Sequence, residues 1–454
     1  MSLVSINPAT GQRLHIHGLH SSIQIAAALK LAHAAFLGWR ETAPAFRARH
    51  LRSLARVLRA QRDDLAALIT AEVGKPITQS RAEIEKCAMV CDYYAKHGAA
   101  YLADEHPPGA PKKARIAYEP LGPVLAIMPW NFPFWQVFRA AAPALMAGNP
   151  LVLKHASNVS GCALAIAQAA TDARLPAGLL QTLLVGSHEI PAIIADPRIR
   201  AVTLTGSTEA GRQVAALAGA ALKPCVFELG GSDPYVILAD ADLALAAETC
   251  AASRLVNSGQ SCVSAKRFIV VAEVRREFEK RLVARMAARR MGDPADPATA
   301  VGPLARHDLR DELHRQVRQS VRRGARLLLG GKPAEGPGWF YPPTVLTNVK
   351  PGMPAYDQEL FGPVAAIITV RDEAEAIAVA NDTVYGLGAA VFTRDRRRGR
   401  EVAGQLEAGM VFVNDLVRSD PTLPFGGIKQ SGYGRELGLP GIRAFVNVKT
   451  LWVA

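Results

Sequence analysis

The sequence predicts an α/β protein with two doubly wound parallel-sheet domains and a small additional strand element. Two features of the chain predict it. From Gly122 onward, short unbroken apolar runs alternate with helix-patterned stretches; such runs between turns mark strands buried on both faces. The same alternation resumes after Phe268. Strands alternating with helices form parallel sheets, which bind ligands at the carboxyl ends of their strands. At 454 residues the chain is also too long for one core, so two or three domains are expected.

Residues 26–39 and 46–73 are rich in Ala, Leu and Arg, with apolar positions three and four apart, the rhythm of helices. Gly74-Lys75-Pro76 stops the second, and residues 77–101 resume the rhythm. Proline and glycine in residues 105–113 mark a loop, and a strand begins over 115–118. Strands are expected at 124–128, 151–154, 181–185 and 201–205, followed in turn by helices at 138–147, 161–173, 190–196 and 211–221. Further strands are expected at 268–271, 364–370, 389–393 and 410–414. Residues 446–453 alternate as an edge strand does.

Composition narrows the class of function. A hydrophobic fraction of 49% with 20% charged residues fits a packed globular chain and excludes a disordered one. No apolar run is long enough to span a bilayer, so no membrane partner is expected. Residues 1–18 lack the basic start and apolar core of a secretory signal. Six cysteines in so long a chain do not make a disulfide framework. Cys87 and Cys91, one helical turn apart in an apolar stretch, read as helix packing. A reducing, cytoplasmic setting is therefore expected. The net charge of +13 raises the question of nucleic acid. The densest basic run, Arg394-Asp395-Arg396-Arg397-Arg398-Gly399-Arg400, has no interleaved aromatics and no zinc-finger spacing. A solvated turn or helix start is expected there, with no nucleic-acid partner. His15, His17 and His20 have no acidic or cysteine ligand beside them, which points to an exposed edge strand and no metal.

The chemistry concentrates elsewhere. Cys262 ends the run Asn257-Ser258-Gly259-Gln260-Ser261-Cys262, and Glu228 lies in Phe227-Glu228-Leu229-Gly230-Gly231. The attacking species is the thiolate, so a working cysteine needs a neighbour that removes or stabilises its proton. A carboxylate can do that, and glycines beside both residues let backbone approach a ligand. Asn131 follows a strand in Met128-Pro129-Trp130-Asn131-Phe132-Pro133, where an amide can donate to a developing oxyanion. Lys154 stands at the next strand end, within reach of sugar hydroxyls or a phosphate. Leu204-Thr205-Gly206-Ser207-Thr208 is a strand–turn–helix junction, a phosphate-binding or simply helix-capping geometry. It matches neither the dinucleotide glycine fingerprint nor a P-loop. Glu359-Leu360-Phe361-Gly362-Pro363 and Pro424-Phe425-Gly426-Gly427 are loops that shape a pocket or merely turn the chain.

Taken in order, Pro129-Trp130-Asn131-Phe132-Pro133, Phe227-Glu228-Leu229-Gly230-Gly231, Gly259-Gln260-Ser261-Cys262 and Glu359-Leu360-Phe361-Gly362-Pro363 resemble the aldehyde dehydrogenase superfamily over nearly the whole chain. Trp135-Gln136-Val137-Phe138-Arg139 and Lys154-His155-Ala156 look like the short bacterial succinate-semialdehyde dehydrogenases. The resemblance implies an aldehyde dehydrogenase-like fold. A dinucleotide-binding domain would take residues 1–100 and 118–231, a catalytic domain 232–438, and an oligomerisation element 101–117 and 439–454. It also implies a mechanism. Cys262 would attack the aldehyde to give a thiohemiacetal. Asn131 and the Cys262 N–H would form the oxyanion hole. Hydride would pass to NAD or NADP, and Glu228 would activate water to hydrolyse the thioester. Lys154 and Glu359 would hold cofactor ribose hydroxyls, Gly206 and Ser207 the pyrophosphate, and Phe361 the nicotinamide. Trp130, Ser157 and Leu229 would complete the cofactor site. A homodimer or homotetramer is the implied assembly.

Two positions depart from the pattern. Many NAD-preferring relatives carry Glu three residues after the strand lysine, and this chain has Ser157. A small neutral residue does not repel a 2′-phosphate and Lys154 attracts one, so NADP joins NAD as an expected cofactor. Arg139 stands where succinate-semialdehyde enzymes carry an arginine whose fork suits a carboxylate. A second arginine of that group is replaced by Val256, with Arg254 nearby, and Arg418 and Ser419 are the candidates to supply the missing contact. The expected reaction is oxidation of succinate semialdehyde to succinate. The alternatives are a broad-specificity aldehyde dehydrogenase, a relative that passes the thioester to coenzyme A, and a basic binding protein without catalysis.

Overall fold

The computed structural model describes residues 2–453, and two sheets carry its architecture. Among these residues the first sheet has six strands, in the spatial order Gly432–Tyr433, Cys225–Glu228, Ala201–Thr205, Val124–Met128, Leu151–His155 and Leu180–Thr182. Only Gly432–Tyr433 runs antiparallel to its neighbour. The second has seven strands, in the order Arg326–Leu329, Thr344–Thr347, Val364–Val370, Arg267–Val271, Pro234–Ile237, Gly388–Phe392 and Met410–Val413. It is parallel except at Arg326–Leu329. The strands Ala201–Thr205 and Arg267–Val271 are buried at every position, including the polar Thr203, Thr205 and Arg267.

Chain order creates the ligand crevice. From Val124–Met128 the chain builds outward through Leu151–His155 and Leu180–Thr182, then returns to the opposite side at Ala201–Thr205. The strand ends on either side of that reversal open a crevice where α/β sheets receive ligands. Asn131 follows one of these strands and Gly206 the other.

Most expected elements appear with small shifts of boundary, and Ile77–Tyr101, Val124–Met128, Ala201–Thr205 and Val364–Val370 appear as expected. The expected helix over 46–73 is two helices, Pro44–Ala60 and Arg62–Val73, separated at Gln61, whose ψ of 11° leaves the helical range. The expected strand over 181–185 shortens to Leu180–Thr182 at the sheet edge. Cys225–Glu228, Pro234–Ile237, Arg326–Leu329 and Thr344–Thr347 lie outside the expected set. They are four-residue strands, too short to show a period.

The other sequence features fall where packing puts them. Cys87 and Cys91 are fully buried on the helix Ile77–Tyr101. His15 and His17 lie on Arg13–Gly18, a strand of a two-stranded hairpin, and no cluster of metal-binding side chains occurs among the described residues. The arginine run begins the helix Arg396–Ala403, capped by Asp395, and Arg397 and Arg398 pair with Glu401 and Glu373. Ala114–Pro120 pairs antiparallel with Val446–Trp452 along its whole length, forming a separate ribbon. Among the described residues no helix is long and apolar enough to cross a membrane.

One buried ion pair ties the helical layer to the first sheet. Glu83 on Ile77–Tyr101 accepts hydrogen bonds from the N–H groups of Phe134 (2.9 Å) and Trp135 (3.0 Å), capping the wholly buried helix Trp135–Ala147. Its other oxygen pairs with fully buried Lys75, whose ammonium lies 3.7 Å from the centre of the Phe132 ring. These contacts fall on residues just after Asn131 in the chain. Breaking a buried pair by deleting one partner is costly because the other charge is stranded. Lys75→Met is expected to lower the unfolding free energy by about 3–5 kcal/mol, measured by denaturant titration, and Lys75→Met/Glu83→Gln to recover part of that loss.

Candidate active site

Cys262 is presented by a turn with unusual backbone. Asn257, Ser258 and Gly259 have φ of 49°, 54° and 78°, three left-handed residues in succession. The Asn257 N–H donates to Gln79 Oε1 at 2.7 Å, and its side-chain amide donates to the Asn131 carbonyl at 2.7 Å. Ser258 Oγ bridges both backbone groups of Gly302. Fully buried Arg254 donates to the Gly259 carbonyl. Lys266 donates to the carbonyls of Ser261 (3.0 Å) and Cys262 (2.7 Å). Arg254 is therefore a brace for the loop and stands outside the cavity wall, whereas Val256 lies on it.

Asn131 meets this turn from the first sheet. Its Oδ1 accepts from Gln136 Nε2 at 3.0 Å, which directs its amide nitrogen toward the Gln260 carbonyl, 3.1 Å away. One Asn131 N–H is thereby used and the second remains. The Cys262 backbone N–H has no acceptor among the described residues. The two donors of an oxyanion hole are thus available.

Glu228 ends its strand buried, with neither carboxylate oxygen hydrogen-bonded. Loss of water, reinforced by Glu436, pushes its carboxyl well above the usual range, against the pull of Arg139 and Arg435. Loss of water likewise pushes the Cys262 thiol up to about 12, with Arg139 and Lys266 pulling it down and Glu228 and Glu359 adding to the rise. In both cases burial favours the neutral form. Arg139 is the cation that favours ionisation of both.

Cys262 opens onto a cavity of about 290 Å³ whose wall is mostly apolar, including Phe132, Trp135, Val263 and Phe425. Arg139, Arg418 and Ser419 line it too, so the three substrate candidates share one cavity with the nucleophile. Their charges are not equally free. Arg139 is buried, pairs through Nε with Glu436, approaches Thr205 Oγ1 at 3.3 Å and lies against the Phe425 ring. Arg418 is exposed and pairs with Asp415 at 2.8 Å. Ser419 Oγ accepts from Lys86 at 2.7 Å.

Lys154 is half-buried at its strand end, and among the described residues it has no ion-pair partner; burial lowers its pKa. Exposed Ser157 opens a short 3-10 turn beyond it. Ser207 caps the helix Thr208–Ala220 through its side chain, following Gly206. Leu229 packs so closely on Gly211 that a Cβ there would lie 2.6 Å from its methyls. Trp130 and Phe361 meet edge-to-face at 5.8 Å. Glu359 accepts from the Gly231 N–H at 3.2 Å and pairs with Lys266 at 3.2 Å. An unpaired lysine, a helix N-terminus after a glycine and an aromatic pair fit an anionic dinucleotide.

Sequence reasoning did not single out Glu436, Lys266, Gln136 or Lys86 as site residues. Glu436 and Lys86 carried no motif signal. Lys266 and Gln136 lie four and five residues beyond Cys262 and Asn131, a spacing that could have drawn attention to them.

A cavity-facing thiol with unused N–H donors and a buried, unpaired carboxyl is equipment for covalent catalysis by cysteine. The chain belongs to the aldehyde dehydrogenase family, whose model matches residues 2–451. It is 50% identical to the NAD(P)+ succinate semialdehyde dehydrogenase Sad of Escherichia coli K12, over 99% of this chain and 97% of that one. It is also 50% identical, end to end, to a probable NADP+ succinate-semialdehyde dehydrogenase of Synechocystis. Among solved structures, the succinic semialdehyde dehydrogenase of Streptococcus pyogenes in complex with NADP+ superposes with a TM-score of 0.97 at 37% identity, covering 99% of each chain.

The raised thiol makes a direct prediction. Thiolate is the reactive form, and below the pKa its fraction rises about tenfold per pH unit. Carboxamidomethylation of Cys262 in the free enzyme, followed by peptide mass spectrometry, is expected to accelerate at each step from pH 7 to pH 9 without a plateau.

Proposed function

We propose that this protein oxidises succinate semialdehyde to succinate with NADP or NAD. The observation that carries the reading is the shared cavity: Cys262 at its wall, apolar side chains around it, and Arg139, Arg418 and Ser419 on the same lining. The names of the half-identical relatives support it. Lys154, Ser157, Gly206, Ser207, Glu359 and Phe361 would hold the dinucleotide, with Trp130 and Leu229 shaping its floor. Bound there, it supplies a hydride acceptor.

The chain's own residues do the rest. Cys262 gives its thiol proton to ionised Glu228, Sγ bonds to the aldehyde carbon, and the oxygen gathers charge facing Asn131 Nδ2–H and the Cys262 N–H. After oxidation the carbon is held to Sγ as a thioester. Glu228, once ionised, takes a proton from water as that water attacks, and the C–S bond breaks to give the acid and the thiol. A base with a raised pKa is protonated below that value, so hydrolysis gains speed as pH rises. Glu228 also argues for water over coenzyme A as acyl acceptor.

The first sheet and its helices would form the cofactor domain and the second sheet the catalytic domain. The ribbon of Ala114–Pro120 and Val446–Trp452, with Val448 and Trp452 exposed, would join subunits into a dimer or tetramer. A cytoplasmic location accords with the four fully buried free cysteines, Cys87, Cys91, Cys162 and Cys250.

Two measurements test this reading. In stopped flow with succinate semialdehyde, Glu228→Gln is expected to give a burst of reduced cofactor matching the enzyme concentration, then a steady state slower by roughly 10²–10⁴-fold. Absence of the burst, with a normal steady state, would remove Glu228 from hydrolysis. Ser157→Glu places a carboxylate where a 2′-phosphate would lie and is expected to cut kcat/KM for NADP by about tenfold or more relative to NAD.

A further inference from the structure

The cavity beside Cys262 carries one more cation. Lys86 lies on the helix Ile77–Tyr101, one turn beyond Glu83, and lines the cavity together with Cys262 and Arg418. Its Nζ donates to Ser419 Oγ at 2.7 Å and sits 4.4 Å from the centre of the Trp135 ring. Among the described residues it has no carboxylate within ion-pair distance, whereas Arg139 pairs with Glu436 and Arg418 with Asp415. Of the three cations on this wall, Lys86 is the one whose charge is unmatched. An ammonium held against apolar side chains is poorly solvated, and an arriving anion relieves that cost. Burial, with Arg139 as a nearby like charge, lowers Lys86 to about 8, against weaker opposing influences from Cys87, Asp420 and Glu83. That is the behaviour of a lysine waiting for a counter-ion.

We propose that Lys86 is a specificity-determining residue whose ammonium, with Ser419 beside it, receives the far carboxylate of the substrate while Cys262 attacks the aldehyde end. The assignment rests on the reading that the substrate is a carboxylate-bearing aldehyde. Lys86 stands beside Arg139, whose guanidinium pairs through Nε with Glu436 and lines the same cavity. Trp135 fixes the ammonium from one side by cation–π attraction, and Ser419 offers a hydroxyl to the same carboxylate.

The test is steady-state kinetics of the full chain with NADP, comparing succinate semialdehyde with butanal, which has the same carbon count and no charge. The wild type is expected to prefer succinate semialdehyde. A charge-assisted hydrogen bond lost from a substrate contact corresponds to about ten- to a hundredfold. Lys86→Met is expected to lower the ratio of kcat/KM values, succinate semialdehyde over butanal, by that factor, and to do so through KM. Lys86→Arg, which keeps the charge, is expected to recover part of it, and Lys86→Gln gives the same comparison should the Met variant fail to fold. A proportional loss on both aldehydes would mark Lys86 as a packing residue and overturn the assignment. An unchanged ratio in a wild type that discriminates would overturn Lys86 alone. A wild type that does not discriminate would overturn the carboxylate reading, and Lys86 with it.

Discussion

The left-handed turn at Asn257, Ser258 and Gly259 is the constraint on which the rest of the site depends. Non-glycine residues in that region cost of order 1–3 kcal/mol each and persist only where their surroundings over-determine them. Here the surroundings come from distant parts of the chain: Gln79 from the helical layer, Asn131 from the end of a first-sheet strand, and Gly302 from the loop region before residue 307. Gly259 itself admits no side chain, because a Cβ would lie 2.2 Å from the Gly362 carbonyl. The same close approach brings the segment of Glu359 and Phe361 against the turn. A strained loop fixes the thiol, and the anchors that hold the strain are the segments that carry the oxyanion donor and the cofactor residues.

Electrostatics around the thiol form a balance and not a simple activation. Burial raises both Cys262 and Glu228, and Arg139 opposes both. Glu436 pairs with Arg139 and adds to the rise at Glu228, so it weakens the cation's influence on each. Burial thus favours the neutral form of both the thiol and the carboxyl, and the cation favours the charged form of both. Two carboxyls around one guanidinium let a modest change in solvation move a proton, which suits a site where a water molecule must later become a nucleophile.

Much of this was legible in the sequence, for a physical reason. In parallel sheets the chemistry gathers at the loops following strands, so Asn131, Lys154, Gly206 and Glu228 could be placed by locating strand ends. Cys262 was marked by its glycine neighbourhood. The loss of legibility begins where a residue's role depends on a partner remote in sequence. Arg139 was marked by its place in the resemblance, but its pairing with Glu436, far along the chain, was not legible. Lys86 falls between buried Glu83 and buried Cys87 on a helix whose rhythm marks core positions, and its neighbours Glu85 and Met89 face outward. By period alone it is a surface lysine. It becomes a cavity residue only when Trp135 and Ser419 are folded over it.

Cofactor crevice and substrate cavity are joined by very few groups. In Trp130-Asn131-Phe132 three consecutive residues divide the work: Trp130 packs on Phe361 in the crevice, Phe132 lines the cavity, and Asn131 stands between them at the nucleophile turn. Lys266 makes the second link. Its single ammonium donates to the carbonyls of Ser261 and Cys262 and pairs with Glu359. The charge of Lys266 is nearly inaccessible to water, and its three N–H groups match the three partners. Any shift of Glu359 toward another donor leaves one of those N–H groups without its partner. The backbone that positions Cys262 is thereby tied, through one buried cation, to the residue expected to hold the cofactor ribose.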